Sequence, residues 1–155
     1  MAGRRNSLGS NLRDSLKDPI GMRLGYQLRR ASMVMTADLA AKLAPLDLRP
    51  TEATILLLVG ANPGCRQGEI GELLGIKRAN MVPLVARVVG VGLVDRARAD
   101  GRTHSLTLTG KGVAKVAAVK KALDRHEASF LSRLNGKSLR NLLNSLAVLR
   151  GESGK

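Results

Sequence analysis

Aromatic residues are nearly absent from this chain of 155 residues, which has no Trp, one Tyr (Tyr26) and one Phe (Phe130). A ligand pocket in such a protein must be lined mainly by aliphatic side chains. No apolar run approaches the roughly 20 residues that a helix needs to cross a bilayer. Arg4 and Arg5 are not followed by the apolar segment of a secretory signal. We therefore expect a cytoplasmic protein.

Cysteine and histidine are equally scarce. Cys65 is the only cysteine, which excludes an intrachain disulfide and a multi-cysteine metal site. His104 and His126 lie far apart, without the ligand spacing of a metal site. Cys65 is interpreted as a small buried hydrophobe, because a redox sensor requires an exposed thiolate of low pKa. With no nucleophile–base set and no Gly-rich phosphate loop, we predict no enzymatic activity, no metal and no cofactor.

Acidic residues are also few: 12 Asp and Glu stand against 26 Lys and Arg, for a formal net charge of +14 and a pI near 11.2. Such a chain attracts polyanions over a Debye length or more. Nucleic acid is the first candidate partner and an acidic membrane surface is the second. A positive charge that serves only solubility is the alternative.

The N-terminal part predicts an arm followed by a helix. Residues 1–20 are rich in Gly, Ser, Asn and Arg and are expected to form a flexible basic arm. From residue 21 to residue 43, apolar side chains recur at spacings of three and four, which indicates one helix with an apolar stripe. The stripe consists of Leu24, Leu28, Ala31, Met35, Leu39 and Leu43.

Two short helices around a tight turn are predicted next. The run EATILLLVGAN is apolar nearly all round, so its helix should be buried; Thr51 is its expected N-cap, and Asn62-Pro63-Gly64 ends it. A helix over residues 67–74 then stops at Gly75, which suits a left-handed turn. A second helix starts near Lys77. This order is the helix-turn-helix pattern.

The second of these helices has two possible registers. Its buried face is formed either by Met81, Leu84, Val85 and Val88 or by Val82, Val85, Ala86 and Val89. We favour the first register because its larger side chains bury more apolar area. That choice turns a second set of side chains outward, where they can enter the major groove of a duplex. The predicted DNA-binding residues of this helix are Lys77, Arg78, Asn80, Val82, Pro83 and Arg87.

A basic β-hairpin follows Gly90 and Gly92. Leu93-Val94 begins one strand, Ser105–Thr109 alternates as a half-buried strand, and Asp100-Gly101 between them signals a tight turn. Residues 77–115 contain eight Lys or Arg and two acidic residues. An arginine-tipped hairpin can reach the minor groove; a solvated structural edge is the alternative. The predicted DNA-binding residues of the hairpin are Arg96, Arg98, Asp100, Arg102 and His104.

Two helices complete the chain. Thr109 is the expected N-cap of a helix that runs to about Leu134, and Ser138 is the expected N-cap of the next one. The last helix carries an apolar stripe that is predicted to pair two subunits, with an intrachain core as the alternative. The stripe consists of Leu139, Leu142, Leu143, Leu146 and Leu149.

The stretch from about Leu24 to Gly112 resembles the MarR family of bacterial transcription regulators. The resemblance is carried by LLLVGANPGCRQGEIGELLGI, by KRANMVPLVARVVGVGLVDR and above all by DGRTHSLTLTGKG. It implies a mainly α fold with a small β-hairpin wing, a winged helix-turn-helix flanked by dimerisation helices. The DNA-binding lobe would cover about residues 50–110, and the dimerisation helices about 21–45 and 110–150, all within one domain over residues 21–155.

The resemblance also implies roles for individual residues and partners. Arg102 matches the wing arginine that enters the minor groove, and Asp100 matches the aspartate that braces the wing. Gly101 stands where the family often has Arg. The implied protein is a homodimeric, nucleoid-associated repressor on a palindromic operator, because two recognition helices about 34 Å apart read two half-sites. A sequence-indifferent architectural DNA-binding protein is the alternative.

Family members usually bind a small organic ligand between the dimer helices and the DNA-binding lobe. For this chain the resemblance suggests an aromatic acid or its coenzyme A thioester, whose carboxylate or phosphates Arg29 or Arg30 would hold. The candidate ligand-binding residues are Tyr26, Arg29, Arg30, Met33 and Met35 on the first helix, with Leu57 or Leu58 opposite.

Overall fold

The chain folds mainly into helices, as predicted. A computed structural model describes residues 17–100 and 103–151, with the backbone alone at residues 98–100 and 103. The chain divides into two compact units, Met1–Thr36 and Ala37–Lys155, and the boundary falls inside the first helix. Most of the predicted N-terminal arm, residues 1–16, lies outside the described residues. Within the described ranges, no helix has both the length and the apolar character to cross a bilayer.

The first helix of the described chain, α1, spans Leu24–Leu43 and leads through a short 3₁₀ helix, Ala44–Leu46, into α2, Pro50–Ala61. Of the predicted apolar stripe on α1, only Leu43 is buried. The expected cap at Thr51 is wrong, because α2 begins at Pro50 and its N-cap is Arg49, two residues before Thr51. Proline suits the first position of a helix, where its missing N–H costs nothing.

The helix-turn-helix consists of α3, Gln67–Leu74, and α4, Arg78–Gly90. Gly75 ends α3 in the left-handed conformation, with φ 64° and ψ 25°, and its N–H bonds to the carbonyls of Glu72 and Gly71. A residue with a Cβ is disfavoured there. The tight turn that Gly75 allows therefore brings α4 back across α3.

The wing is a β-hairpin of β2, Val94–Asp100, and β3, Thr103–Leu108, and a two-residue strand, β1, Cys65–Arg66, pairs with β3 on its other side. All pairs are antiparallel, with Cys65 opposite Leu106 and Asp100 opposite Thr103. Asp100, which was expected in the turn, is the last residue of β2 and pairs with Thr103, and residues 101 and 102 lie outside the described residues. Strand β1 could not be predicted from the sequence, because two residues carry no periodicity.

Two further helices follow: α5, Gly110–Leu131, and α6, Gly136–Leu149. The Thr109 cap is confirmed, since its hydroxyl accepts the Gly112 N–H at 2.9 Å. The Ser138 cap is wrong: Asn135 is the N-cap, and its side-chain oxygen accepts the Ser138 N–H at 2.8 Å. A Cβ at Gly112 would lie 2.0 Å from the Leu93 carbonyl oxygen, so only glycine lets α5 start this close to the wing.

One hydrophobic core joins α2, α4, α5 and the wing. The largest contributions from α2 are Ile55, Leu56 and Val59, all fully buried, as the uniformly apolar sequence of this helix predicted. The core is completed by Leu43, Leu48, Ala53, Ile70, Met81, Val85, Val88, Leu93, Val94, Leu106, Val119 and Ala122. This core holds the helix-turn-helix and the wing in a fixed relation within the unit Ala37–Lys155.

Candidate nucleic-acid interface

Helix α4 adopts the predicted register. Met81, Val85 and Val88 are at most 1% exposed, whereas Val82 is 51% exposed. Pro83 also lies on the exposed side, where its missing N–H and its ring do not disturb the core. The helix therefore presents Val82 and Pro83 on an outward face, away from the core.

The amino-terminal part of that outward face is rich in hydrogen-bond donors. Lys77 is the N-cap of α4, and Arg78 and Asn80 follow within its first turn, all exposed. Arg and Asn can each form two hydrogen bonds to a base edge, Arg with guanine and Asn with adenine. An exposed helix that begins with these side chains has the chemistry to read a major groove.

A cleft of about 770 Å³ lies between α3, the start of α4 and the wing. It is lined by predicted DNA-binding residues from both α4 and the wing: Lys77, Arg78 and Val82 from α4, and Arg96 and His104 from the wing. Asn80 and Pro83 are exposed on α4 but do not line it. We name this surface the interface cleft; its full lining is Arg66, Gln67, Gly68, Glu69, Gly71, Glu72, Gly75, Ile76, Lys77, Arg78, Met81, Val82, Arg96 and His104.

Arg66 and Gln67 are among the lining residues that were not predicted. They stand at the start of α3, where the helix dipole favours an anion. The backbone N–H of Arg66 donates to Glu69 Oε2 at 2.7 Å. The guanidinium of Arg66 takes no part in this hydrogen bond. The signal that could have found them is an Arg-Gln pair at the start of the first helix of a helix-turn-helix.

The charge of the interface cleft is positive but mixed. Arg66, Lys77, Arg78 and Arg96 face Glu69 and Glu72, which leaves a formal excess of two positive charges. The two carboxylates sit on α3, so the excess is concentrated at the start of α4 and on the wing. This distribution favours a polyanion that lies along those two elements.

Only some of the predicted DNA-binding residues of the wing have side chains that the structure describes. Arg96 is exposed on β2, and His104 on β3 is half-buried. Among the described residues, the buried Nδ1 of His104 has no hydrogen-bond partner. Arg98 stands opposite His104 in the ladder, and a register shift lies between Arg98 and Asp100. The side chains of Arg98 and Asp100, and all of Arg102, lie outside the described structure.

Arg87 is the one predicted recognition residue that the structure places in an intramolecular ion pair. Its Nε lies 2.8 Å from Glu52 Oε1, and its Nη2 lies 3.3 Å from Asp47 Oδ1. These partners could not be predicted from the sequence, because they come from 35 and 40 positions earlier in the chain. Arg87 is thus tied to α2 and to the turn before it, and it is not part of the interface cleft.

Known proteins share the architecture described above. A model of the MarR family matches residues 46–103, from the end of the 3₁₀ helix to the wing. The transcriptional repressor CouR, solved on a 23-mer DNA duplex, is 38% identical and superposes with a TM-score of 0.81 over 87% of this chain and 99% of that one. The chain belongs to the MarR family.

Other relatives agree with this assignment. The CouR structure bound to p-coumaroyl-CoA is also 38% identical, with a TM-score of 0.82 over 89% of this chain and 99% of that one. The HTH-type transcriptional repressor Rv2887 of Mycobacterium tuberculosis is 27% identical over 81% of this chain and 92% of its own length. The family and the fold of this MarR-family protein are those of transcription regulators.

The candidate ligand residues of this MarR-family protein fall in both compact units. On α1, Tyr26 is half-buried with the Arg30 guanidinium 5.6 Å from its ring centre, while Met33 is 61% exposed. Arg29 and Met35 are exposed as well. In the other unit, Leu57 and Leu58 are half-buried on α2 and pack against the core. Their joint role in a ligand site stays a prediction.

The leucine stripe of α6 is left largely uncovered. Leu142, Leu143 and Leu149 are 44%, 55% and 55% exposed, Leu139 and Leu146 are half-buried, and no residue of this helix is buried. An intrachain core, the alternative for this stripe, would have buried it. Exposed apolar faces of this kind mark interaction surfaces.

Cys65 behaves as a packing residue. It is half-buried in β1 and contacts the core. Burial, with a smaller contribution from the Glu69 carboxylate, raises the pKa of its thiol. A raised pKa disfavours the reactive thiolate, in line with the interpretation of Cys65 as a small hydrophobe.

Proposed function

We propose that this protein is a homodimeric transcriptional repressor that binds a palindromic operator and leaves it when an aromatic acyl-coenzyme A thioester binds. One observation carries the proposal: the chain is 38% identical, over nearly its whole length, to a repressor solved both on a DNA duplex and with p-coumaroyl-CoA. We assign it a binding role rather than a catalytic one, in the cytoplasm with the nucleoid, where an operator is accessible.

We assign DNA contacts to three parts of one surface. Arg78 and Asn80 on α4 are placed against base edges in the major groove, and Lys77 against a neighbouring phosphate. The α3 start at Arg66 and Gln67 is added as a phosphate contact. The wing, through Arg96 and the residues up to His104, is directed to the minor groove. The excess positive charge of the interface cleft supports this assignment.

We assign the dimer contact to α6 together with α1. The leucines of α6 are exposed, and burying them against a second copy would gain roughly 25 cal/mol for each Å² of apolar surface removed from water. Pairing of two subunits also allows binding to two half-sites, since two recognition helices about 34 Å apart match successive major grooves.

The ligand assignment depends on the CouR complex and on the charge of this chain. A coenzyme A thioester carries several phosphate charges, and a chain of net charge +14 attracts them. Arg29 and Arg30, both exposed on α1, are assigned to those charges. The ligand releases DNA only if it binds the released conformation more tightly than the DNA-bound one.

The DNA-binding part of the proposal is tested by competition. Labelled DNA from the protein's own promoter region is bound and then challenged with the same unlabelled DNA or with random DNA of equal length. We expect the specific competitor to displace the label at a concentration at least 100-fold lower, as typical specificity ratios require. Equal displacement by both competitors would establish the architectural alternative instead.

The ligand part is tested by thermal unfolding with p-coumaroyl-CoA, salicylate and free coenzyme A. A ligand at 100 times its Kd stabilises the folded state by about 2.7 kcal/mol, which gives a measurable rise in Tm. We expect the rise with the thioester and release of operator DNA at the same concentration. A rise with salicylate alone would assign the effector to the free aromatic acids, and equal rises with the thioester and with coenzyme A would remove the aromatic group from recognition.

A further inference from the structure

The turn between α1 and α2 is held from two sides by cationic side chains of other helices. Arg87 of α4 contacts Asp47 in this turn and Glu52 in the first turn of α2. Lys115 of α5 donates to the Leu46 carbonyl at 3.1 Å. Resting on the proposed function, we propose that Arg87 is a positioning residue that fixes the orientation of recognition helix α4 against this turn, and thereby the spacing of the half-sites that the dimer accepts.

The Glu52 carboxylate is the fixed end of this contact. Its side chain is 1% exposed, its Oε2 accepts the backbone N–H of Arg49 at 2.9 Å, and its Oε1 lies 2.8 Å from Arg87 Nε in an ion pair that lacks hydrogen-bond geometry. A buried carboxylate requires a partner for its charge. Arg87 supplies that charge, so the position of α4 is coupled to the first turn of α2.

The contact with Asp47 gives the Arg87 guanidinium a second fixed partner. Arg87 Nη2 lies 3.3 Å from both the backbone carbonyl oxygen and Oδ1 of Asp47. Asp47 has φ 51°, the one positive φ among the described residues other than glycine, a conformation that costs energy unless its surroundings hold it. The planar guanidinium reaches Asp47 and Glu52 at once, which the single ammonium of a lysine does not reproduce.

The location of Arg87 separates it from the residues assigned to DNA. Arg78 and Arg87 are nine positions apart on α4, about two and a half turns, so they point to opposite sides of the helix. Arg78 lines the interface cleft and Arg87 does not. A direct phosphate contact by Arg87 would also have to compete with the buried Glu52 carboxylate.

The test compares Arg87→Lys and Glu52→Gln with the wild-type dimer. Arg87→Lys keeps the positive charge and removes the planar guanidinium that contacts Asp47 and Glu52 at once. Glu52→Gln removes the buried charge from a residue that cannot touch DNA. Each protein is challenged with operators whose half-sites are moved apart or together by one base pair. We expect the wild type to prefer one spacing by about tenfold and both variants to reduce that preference to about threefold or less.

A salt titration distinguishes positioning from direct contact. Loss of one phosphate contact lowers the slope of log K against log[salt] by about 0.9. We expect unchanged slopes for Arg87→Lys, for Glu52→Gln and for the double variant Arg87→Gln/Glu52→Gln, which leaves no buried charge unpaired. Arg125→Lys, on the exposed surface of α5, is the matched control and should leave both spacing preference and slope unchanged.

A readout without DNA covers the case in which affinity falls too far to measure. A spin label at Val82→Cys, in a Cys65→Ser background, reports the distance between the two recognition helices of the dimer. We expect Arg87→Lys to broaden that distance distribution and Arg125→Lys to leave it unchanged. The inference would be overturned if both Arg87→Lys and Glu52→Gln kept the wild-type spacing preference and the wild-type distance distribution. It would also be overturned if the salt slope of the double variant fell by about one unit. A wild-type dimer that does not distinguish its operator from random DNA would instead remove the proposed function.

Discussion

Helices α2 and α6 are both rich in aliphatic side chains, and the fold treats them in opposite ways. Ile55, Leu56 and Val59 of α2 are fully buried within their own subunit, whereas Leu142 and Leu143 of α6 are about half exposed. Apolar surface left in water at this density costs free energy that a partner surface would recover. The contrast separates residues that fold one chain from residues that join two.

The largest effect is expected from truncation in α2. Leu56→Ala should lower the free energy of unfolding by about 2–5 kcal/mol, because it leaves a cavity in a packed core. The same change in α6, Leu143→Ala, should cost less than about 1 kcal/mol at a protein concentration at which the chain is monomeric. Denaturant titrations of both variants measure the difference, and equal losses would show that α6 belongs to the intrachain core.

The next effect is expected on dimerisation. Leu143→Asp removes an apolar contact in each of two subunits, about 1.5 kcal/mol each, and should weaken the dimer by about 100-fold at 1.4 kcal/mol for each factor of ten. Sedimentation equilibrium measures the constant. Asn144→Asp, which adds the same charge to the exposed side of α6, is the control; the same loss in the control would show a general effect of charge.

A smaller effect is expected on sequence preference. Asn80→Ala removes a side chain assigned to a base edge and should relax discrimination at one operator position by about 1–3 kcal/mol. The dimerisation constant should not change, because Asn80 lies in the DNA-binding part. Competition with operators substituted one base pair at a time checks this, and a uniform loss across all operators would assign Asn80 to a phosphate instead.

The wing is expected to contribute affinity without sequence preference. Arg102→Ala should weaken binding to all operators alike and lower the salt slope by about one unit. Arg125→Ala, on the exposed surface of α5, serves as the control for the loss of a positive charge elsewhere. If affinity and slope are unchanged in Arg102→Ala, the wing tip does not contact the duplex.

The smallest effect concerns pH and the contact between α1 and α5. Asp38 Oδ1 lies 2.5 Å from Lys42 Nζ, and its Oδ2 lies 2.6 Å from His126 Nδ1. Hydrogen bonds from Lys42 and then from His126 hold the pKa of Asp38 below its usual range. The stability that Asp38 contributes is therefore present above the pKa of an unfolded aspartate and is lost as the pH falls through the lower folded value.

Asp38→Asn tests that sign. The variant should be less stable than the wild type at neutral pH, and the two should converge as the medium becomes strongly acidic. Thermal unfolding across a pH series measures the difference. A constant difference at every pH would show that the Asp38 charge makes no contribution and that only its shape matters.

Much of the fold could be predicted because it depends on local patterns. The register of α4 followed from the larger side chains at Met81 and Val88, and the turn at Gly75 followed from the need for a left-handed residue. The cap at Thr109 was predicted correctly, but the caps at Thr51 and Ser138 were not. There the N-caps are Arg49 and Asn135, each earlier in the chain, and local sequence could not rank them above Thr51 and Ser138.

The candidate site divides in the same way. The sequence by itself determined that a basic helix-turn-helix and a basic hairpin follow one another, since each is encoded within one continuous stretch, residues 67–90 and residues 94–108. Only the tertiary structure decided which of their charges remain available. Arg87 is occupied by Asp47 and Glu52, while Arg66 and Gln67 join the cleft, because ion pairs and clefts form between residues that the chain brings together from distant positions.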